Sequence, residues 1–327
     1  MNTTRRGFQA LTLALGASLC LSPVFAQDAW PTKTVRLVVP FPPGGGTDLV
    51  ARAMGQKLAE RLGQPVVIDN KPGASTIIGT DAVAKAAPDG YTLLLSGSTS
   101  YTVNPALRAK LPYDPMRDLT PIAIVARTPL VLVVGGSSNL HSVKDLIAAA
   151  KATPKGIRYA TFGSGSGPHL AGELFALAAD VKLQDVPYKG SSQSSIALIS
   201  GEIEMGIDTV ASVAPHVKSG KMRALGIVGT TRSSMLPDVP TLTELKLPEA
   251  TFDAWYGFAA PARTPAPVIQ RLVRDVGATM ADPALQAQLR IQGMEPVMIG
   301  ADPFRKQMES EISRYLALAH RAGIQPE

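Results

Sequence analysis

The chain has 327 residues, 45% hydrophobic and 18% charged, enough for one large domain or two medium ones with ample core. Its formal net charge of +6 comes without a lysine/arginine run or a basic helix face, which argues against nucleic acid and leaves a mild field suited to a small anion. The single cysteine, Cys20, falls in the leader described next, so disulfides, thiolate catalysis and cysteine-based metal sites are excluded from the rest.

Residues 1–26 read as an export signal. Arg5 and Arg6 form a positive start, Ala10 to Leu21 is an apolar run too short to span a bilayer, and Val24-Phe25-Ala26 offers a cleavage site before Gln27. Thr4-Arg5-Arg6-Gly7-Phe8 also resembles a twin-arginine motif, so the twin-arginine and general secretory routes both fit. Leu19 before Cys20 argues against a lipid anchor. No later stretch is apolar enough to cross a membrane.

Beyond the leader, short β-branched runs alternate with helical periods. Val35–Val39 reads as a strand, Pro40–Gly46 as a Pro/Gly turn, and Leu49–Leu62 as a helix with Val50, Met54, Leu58 and Leu62 spaced by four. Val66–Ile68 is a strand, 70–73 a turn, Thr80–Ala87 a short helix and Tyr91–Leu95 a strand, followed by a polar loop over Ser96–Tyr101. Leu119–Val134 is apolar but broken at Arg127-Thr128-Pro129, as for a strand that leaves one domain and enters another. Ser142 caps a helix to Ala152; Arg158–Phe162 is a strand, and a second glycine-rich turn, 163–169, leads into a helix over Leu170–Ala179. Gln184–Val186, Glu204–Ile207 and Arg223–Val228 are strands, and Ser191–Ser200 and Val210–Lys218 helices. Thr230–Ala250 is a proline-rich surface connection. Trp255–Ala260 and Pro296–Ile299 are strands, with helices over Pro267–Met280, Pro283–Gln292 and Pro303–Ala322. The alternation predicts an α/β architecture with mostly parallel sheets flanked by helices. Ligands of such sheets sit beyond the carboxyl ends of the strands. Four of those ends, 40–48, 96–102, 161–169 and 206–210, carry small or polar residues, two on each side of the break at 127–129. Two lobes facing each other over a cleft are therefore expected.

The turn at 40–48 feeds a helix start, where free N–H groups and the helix dipole favour an anion. Gly44-Gly45-Gly46 lets a ligand reach the main chain. The spacing fails both GxGxxG and the P-loop, which turns the reading away from phosphate cofactors. A carboxylate beside an anion site repels the anion, so Asp48 is assigned to fixing the loop through local N–H groups. The turn at 163–169 has Gly165 where a nucleophile elbow needs serine, so His169 reads as structural or as a ligand hydrogen bond rather than as a base. His141, His216 and His320 are scattered, and no metal or cofactor is expected. Tyr188 either lines the cleft or packs; Lys189 either supplies a cation or lies in a solvated turn. Asp208 either takes a ligand ammonium or hydroxyl, or caps the helix starting near Val210. Phe41 and Asn104-Pro105 border the cleft or pack.

PFPPGGGTDLVAR (40–52), NKPGASTIIG (70–79), AAPDGYTLLL (86–95), LPYDPMRDLTPI (111–122), GSGPHLAGELF (165–175), VPYKG (186–190), PHVKSGKMRALGI (215–227) and LPDVPTLTEL (236–245) together resemble the Bug family of extracytoplasmic solute receptors of tripartite tricarboxylate transporters. The resemblance runs in order along 28–327. It implies a two-lobed periplasmic binding protein of type II, with lobe 1 formed by 28–127 and 251–327 and lobe 2 by 128–250. It implies no enzyme activity, a monomer, a periplasmic location, membrane permease subunits as partners, and a small carboxylate held by main-chain groups and water at the first loop. Carried onto this chain, the ligand-binding residues are Phe41, Gly44, Gly45, Gly46, Thr47, Asp48 and Ser98 on one side. Ser164, Gly165, Ser166, His169, Asp208 and Thr209 face them. Thr76-Ile77-Ile78 and the 162–167 loop depart from the usual pattern, which leaves the ligand's far end open. The alternatives are a ligand-loaded sensor signalling to a membrane receptor kinase, with the same fold and pocket, and a secreted α/β hydrolase, against which the missing nucleophile elbow argues.

Overall fold

The computed structural model describes residues 30–163 and 165–322; the expected leader lies outside them. The chain lays down β1 (Val35–Val39), α1 (Gly46–Leu62), β2 (Val66–Asn70), α2 (Ile77–Ala84) and β3 (Thr92–Gly97). A π-helical turn (Thr99–Val103), α3 (Asn104–Leu107), α4 (Pro115–Asp118) and β4 (Leu119–Thr128) follow. After Pro129 come β5 (Leu130–Gly135), α5 (Val143–Ala152), β6 (Ile157–Thr161), α6 (Gly167–Ala179) and β7 (Leu183–Pro187). Next are α7 (Ser191–Ser200), β8 (Met205–Thr209), α8 (Val210–Lys218) and β9 (Met222–Ile227). The chain then returns through β10 (Ala254–Pro261), α9 (Ala266–Met280), α10 (Pro283–Ile291), β11 (Glu295–Gly300) and α11 (Ala301–Ala322).

Two sheets result, a six-stranded one in the order β11-β4-β10-β3-β1-β2 and a five-stranded one in the order β7-β6-β8-β5-β9. The break at 127–129 is where the chain passes from one sheet to the other. The sheets are mixed, which corrects the expectation of mostly parallel ones. β1 pairs in parallel with β2 and β3, and β6 with β7 and β8. β4, β10 and β11, like β5 against β8 and β9, pair antiparallel. The cause is the crossing itself: the strand that enters each lobe from the hinge, β10 in the first and β5 in the second, runs opposite to the βαβ strands, while the strands that leave, β4 and β9, run with them. Arg127 on β4 ties the two crossings together. Its Nη1 donates to Asp253 Oδ2 at 3.0 Å and to Thr230 Oγ1 at 2.7 Å.

The first sheet is covered by α1, α9 and α10 on one face, through Val50, Met54, Leu58, Leu272, Val276 and Leu289. On the other face it meets Trp255, Tyr101, Phe304 and Met308. The second sheet packs Leu132, Tyr159, Leu170 and Phe175 on one side and Val131, Ala197, Val210 and Val213 on the other. Tyr315, Leu318 and Ala319 at the end of α11 join the core of the second sheet, together with Val103, Ala106 and Leu107. α11 thus bridges the two lobes.

Most predicted elements fall within a few residues of those observed. The exception is the polar loop at 96–101, which becomes β3's end and the π-helical turn. Its hydroxyls favour loops when solvated. Here Tyr101 is buried, stacked on Trp255 (5.4 Å between centroids) and edge-on to Phe304 (5.3 Å). That packing, with Thr102 Oγ1 donating to Ser98 O at 3.0 Å, winds the segment.

Candidate functional site: two rings of helix starts facing a cleft

β1 delivers the chain into the turn at 40–45. α1 begins at Gly46, three residues earlier than the apolar pattern indicates, so Thr47 and Asp48 belong to its first turn. Gly45 is the N-cap and carries no side chain to occupy the first N–H groups. Gly44 has φ +83°, a left-handed conformation that favours glycine, and space around it is open. Gly45 has extended backbone, and the nearest atom to an added Cβ is Pro42 O at 3.7 Å. The N–H groups of this turn are therefore approachable.

Asp48 fixes the turn as expected. It accepts from Gly44 N–H (2.9 Å), Arg52 Nε (2.8 Å) and Asn70 Nδ2 (3.0 Å), and Asn70 also donates to Phe41 O at 3.1 Å. Burial pushes the Asp48 carboxyl up. The Arg52 guanidinium, the Gly44 N–H and the Asn70 amide outweigh that and hold it below the ordinary aspartate range. The negative charge is thus matched within the loop and does not oppose an incoming anion.

Sequence reading missed the roof over this helix start. A Cβ on Gly46 would lie 2.7 Å from Tyr256 Oη and 3.4 Å from Met294 Cε, so both side chains sit against the first residue of α1. Burial raises the Tyr256 hydroxyl's pKa, and Thr128 and Thr47 partly offset the rise. Thr47 and Thr128 are both buried beside it. The Phe41 ring lies 3.7 Å from where a Cβ on Gly97 would sit, which places it beside the end of β3. Ser98 is buried behind it, at the start of the π-helical turn.

A third loop, between β2 and α2, is held in an unusual backbone conformation. Ala74, Ser75 and Thr76 have φ of 45°, 52° and 78°. A β-branched residue there is strained. The Thr76 hydroxyl accepts from Ser100 Oγ (2.8 Å) and Asn104 Nδ2 (3.2 Å), and Asn104 also donates to Ser75 O at 2.7 Å. Ser100 in turn bonds Ser96 at 2.6 Å and accepts from Thr80 at 2.9 Å. This buried hydroxyl lattice offsets the strain and locks the loop. Asn104 is thereby a packing and hydrogen-bonding residue of the loop support.

On the second lobe, α6, α7 and α8 start near the carboxyl ends of β6, β7 and β8. Ser166 caps α6, accepting from His169 N–H (3.4 Å) and Phe162 N–H (3.3 Å) and donating to Gly163 O (2.7 Å). Gly165 has φ +74° and open space around it. Its N–H donates to His169 Nδ1 at 3.4 Å, an arrangement that assigns the neutral ring's proton to Nε2. His169 is buried, as a structural histidine of the loop. Ser164 lies outside the described residues.

Asp208, 3% exposed, sits between the starts of α7 and α8. Its Oδ1 accepts from Ser191 Oγ (2.8 Å) and Thr209 N–H (2.6 Å), while Oδ2 is buried without a partner. Burial raises its pKa, partly offset by Ser191 and Thr209. It does not cap α8; Thr209 does, with its Oγ1 accepting from Ser212 N–H at 3.4 Å. Tyr188 does not line the cleft. Its hydroxyl bonds Glu202, beyond the far end of α7. Lys189 is exposed. Among the described residues no His, Cys, Asp or Glu group is placed to hold a metal ion, and no helix is long and apolar enough to cross a membrane.

Residues 50–324 match the tripartite tricarboxylate transporter receptor family. Protein BugT of Bordetella pertussis is 37% identical over 324 residues, 99% of each chain. Among solved structures, periplasmic binding protein BugD aligns with a TM-score of 0.74 and 31% identity, over 91% of this chain and 100% of that one. An R. palustris protein with adipate aligns at 0.77 and 35%, over the same shares. MatC from Rhodopseudomonas palustris with bound malate aligns at 0.72 and 30%, over 88% of this chain and 99% of that one. These are two-lobed binding receptors rather than enzymes, and the chain belongs to their family, the receptors of tripartite tricarboxylate transporters.

Proposed function

We propose that this receptor is exported to the periplasm, closes as a monomer on one small carboxylate, and passes it to the membrane permease subunits of a tripartite tricarboxylate transporter. The observation that carries the reading is the start of α1: uncapped N–H groups behind open glycines, roofed by the hydroxyls of Tyr256, Thr47 and Thr128, with the Asp48 charge matched by Arg52. A carboxylate fits that arrangement because N–H dipoles and hydroxyls both donate to it. The relatives with adipate and malate support the class of ligand. Phe41, Gly44–Thr47 and Ser98 form one wall in this reading. Ser164, Gly165, Ser166, His169, Asp208 and Thr209 form the other. Asp48 and His169 act by shaping their loops. The first wall belongs to a lobe built from 28–127 and 251–327, the second to a lobe of 128–250, and 1–26 is the cleaved leader.

Thermal stabilisation against a panel of di- and tricarboxylates, amino acids and aromatic acids tests the function. A shift of several degrees by one member and none by its amide is expected. No shift with any carboxylate, together with one from a neutral or cationic solute, would overturn it.

A further inference from the structure

Residues Gly293, Met294 and Glu295 connect α10 to β11, and each touches something different. Met294 Cε lies 3.4 Å from a Cβ built on Gly46, at the start of α1. Gly293 ends α10 in a left-handed conformation, φ +76°, with Met294 N–H returning to Leu289 O at 3.0 Å. A Cβ on Gly293 would collide with Ala211 in the first turn of α8, and would lie 3.1 Å from Met235 Sδ. Glu295 Oε1 accepts from Ser234 N–H (2.7 Å), Ser234 Oγ (2.8 Å) and Ser233 Oγ (3.4 Å).

These partners belong to opposite lobes. Glu295 pairs in register with Arg127 of β4 in the first sheet. Ser233 and Ser234 lead into Met235 and Leu236, which pack with Val131, Val133 and Val210 against the second sheet. Three consecutive residues therefore reach from the helix start of one wall to the helix start of the other and end on a three-donor carboxylate. The contact lies beside the covalent crossings, which are held by Arg127, Asp253 and Thr230. Glu295 stands on the edge strand, about 4.8 Å off β4. A rotation of the lobes about the crossing thus changes its distance to Ser234, which moves with the second lobe.

We propose that Gly293–Glu295 is an inter-lobe latch, in which Glu295 grips Ser233 and Ser234 when the clamp is shut and so sets the closed population without touching the ligand. Glu295 is a positioning residue in this scheme. The proposal rests on the clamp reading given above, but the latch acts with the cleft empty or full. Affinity follows, because a ligand that bridges both walls binds in proportion to the closed fraction.

The test uses the exported chain, which beyond Cys20 carries no cysteine, labelled through cysteines placed at the exposed Gln56 and Lys151, one on each lobe. Single-molecule energy transfer then reads the closed fraction without any solute. Glu295→Ala should lower the ratio of closed to open molecules about tenfold, the scale of losing hydrogen bonds to a charged acceptor. Glu295→Gln keeps the acceptor oxygen and should restore most of it. Ala211→Leu, which wedges the contact with Gly293, should open the clamp by an independent route, with far-UV circular dichroism unchanged. With malate or adipate as probe, Kd should rise by the same factor. An unchanged closed fraction in folded Glu295→Ala and Ala211→Leu overturns the latch, as does a wild-type protein with one fixed lobe spacing. Failure of the wild type to bind either acid counts against the carboxylate reading alone.

Discussion

Gly45→Val separates the need for approach from the need for backbone freedom. Gly45 has φ −77° and ψ 168°, a region valine prefers, and the nearest atom to the new Cβ is an oxygen at 3.7 Å. The folded protein therefore changes little. Losing glycine at an N-cap costs up to about 1 kcal/mol, and the stiffer unfolded chain returns about 0.4–1 kcal/mol. Binding should suffer much more, because the isopropyl group stands over the N–H groups that α1 presents. Two charge-assisted hydrogen bonds are worth roughly 3–6 kcal/mol together. A carboxylate at a hundred times its Kd stabilises a receptor by about 2.7 kcal/mol; a hundredfold weaker affinity leaves about 0.4 kcal/mol. Differential scanning fluorimetry with the best solute of the panel should thus show a near-normal apo Tm and a ligand-induced shift cut to less than a fifth. An undiminished shift would refute the placement of the carboxylate at this turn. Gly45→Ala should fall between, since a methyl covers less of the approach.

Tyr256→Phe removes the hydroxyl above Gly46 while keeping the ring, so Kd should rise about five- to tenfold with Tm nearly unchanged; calorimetric titration checks it. Asp48→Ala leaves the Gly44 N–H, Arg52 and Asn70 without their acceptor and should cost about 2–4 kcal/mol in urea unfolding. Because the folded Asp48 pKa is depressed, its contribution is present above the unfolded value, about 3.9, and is lost as pH falls through the folded one. Acid titrations of wild type and Asp48→Asn should therefore begin to draw together as pH falls below about 4 and meet only below the folded pKa. Asp208 carries the opposite sign: its folded pKa is raised, so it costs stability as pH rises from the unfolded value through the folded one. Asp208→Asn should remove that loss, seen in Tm against pH. It should weaken amino-acid ligands more than plain dicarboxylates if Oδ2 takes an ammonium; equal effects leave Asp208 with the role of bracing Ser191.

Locally encoded features were legible. The Ser142 cap, with its oxygen accepting from Asp145 N–H at 3.1 Å, follows from residues three apart, and the Asp48–Arg52 pair from residues four apart. The start of α1 was placed late because glycines carry no periodic signal, although their conformations admit the helix. The antiparallel pairings of β10 were not legible, since Phe258 finds Ala123 and Leu95 across more than a hundred residues. The roof of the cleft was lost for the same reason. Tyr256 sits in an apolar strand run, Trp255–Ala260, where an aromatic reads as core, and only the pairing of β10 with β4 brings it to Thr128. Asn70, read as part of a turn, is a partner of Asp48 only because β2 lies beside β1.

The span of α11 has a consequence for how the chain can be divided. Tyr315, Leu318 and Ala319 fill the second-lobe core beside Tyr159 and Phe175. A segment cut at 128–250 would lose that cover and present a fresh apolar face to water, while the remainder would keep a helix with half its partners gone. The lobes share a core through α11 and are not two independent modules. The first sheet is not complete until β11 has been made, and the second, whose strands end at β9, lacks part of its core until α11 arrives. Unfolding should accordingly run as a single cooperative transition, and loss of the C-terminal turns should weaken the lobe that lies earlier in the sequence.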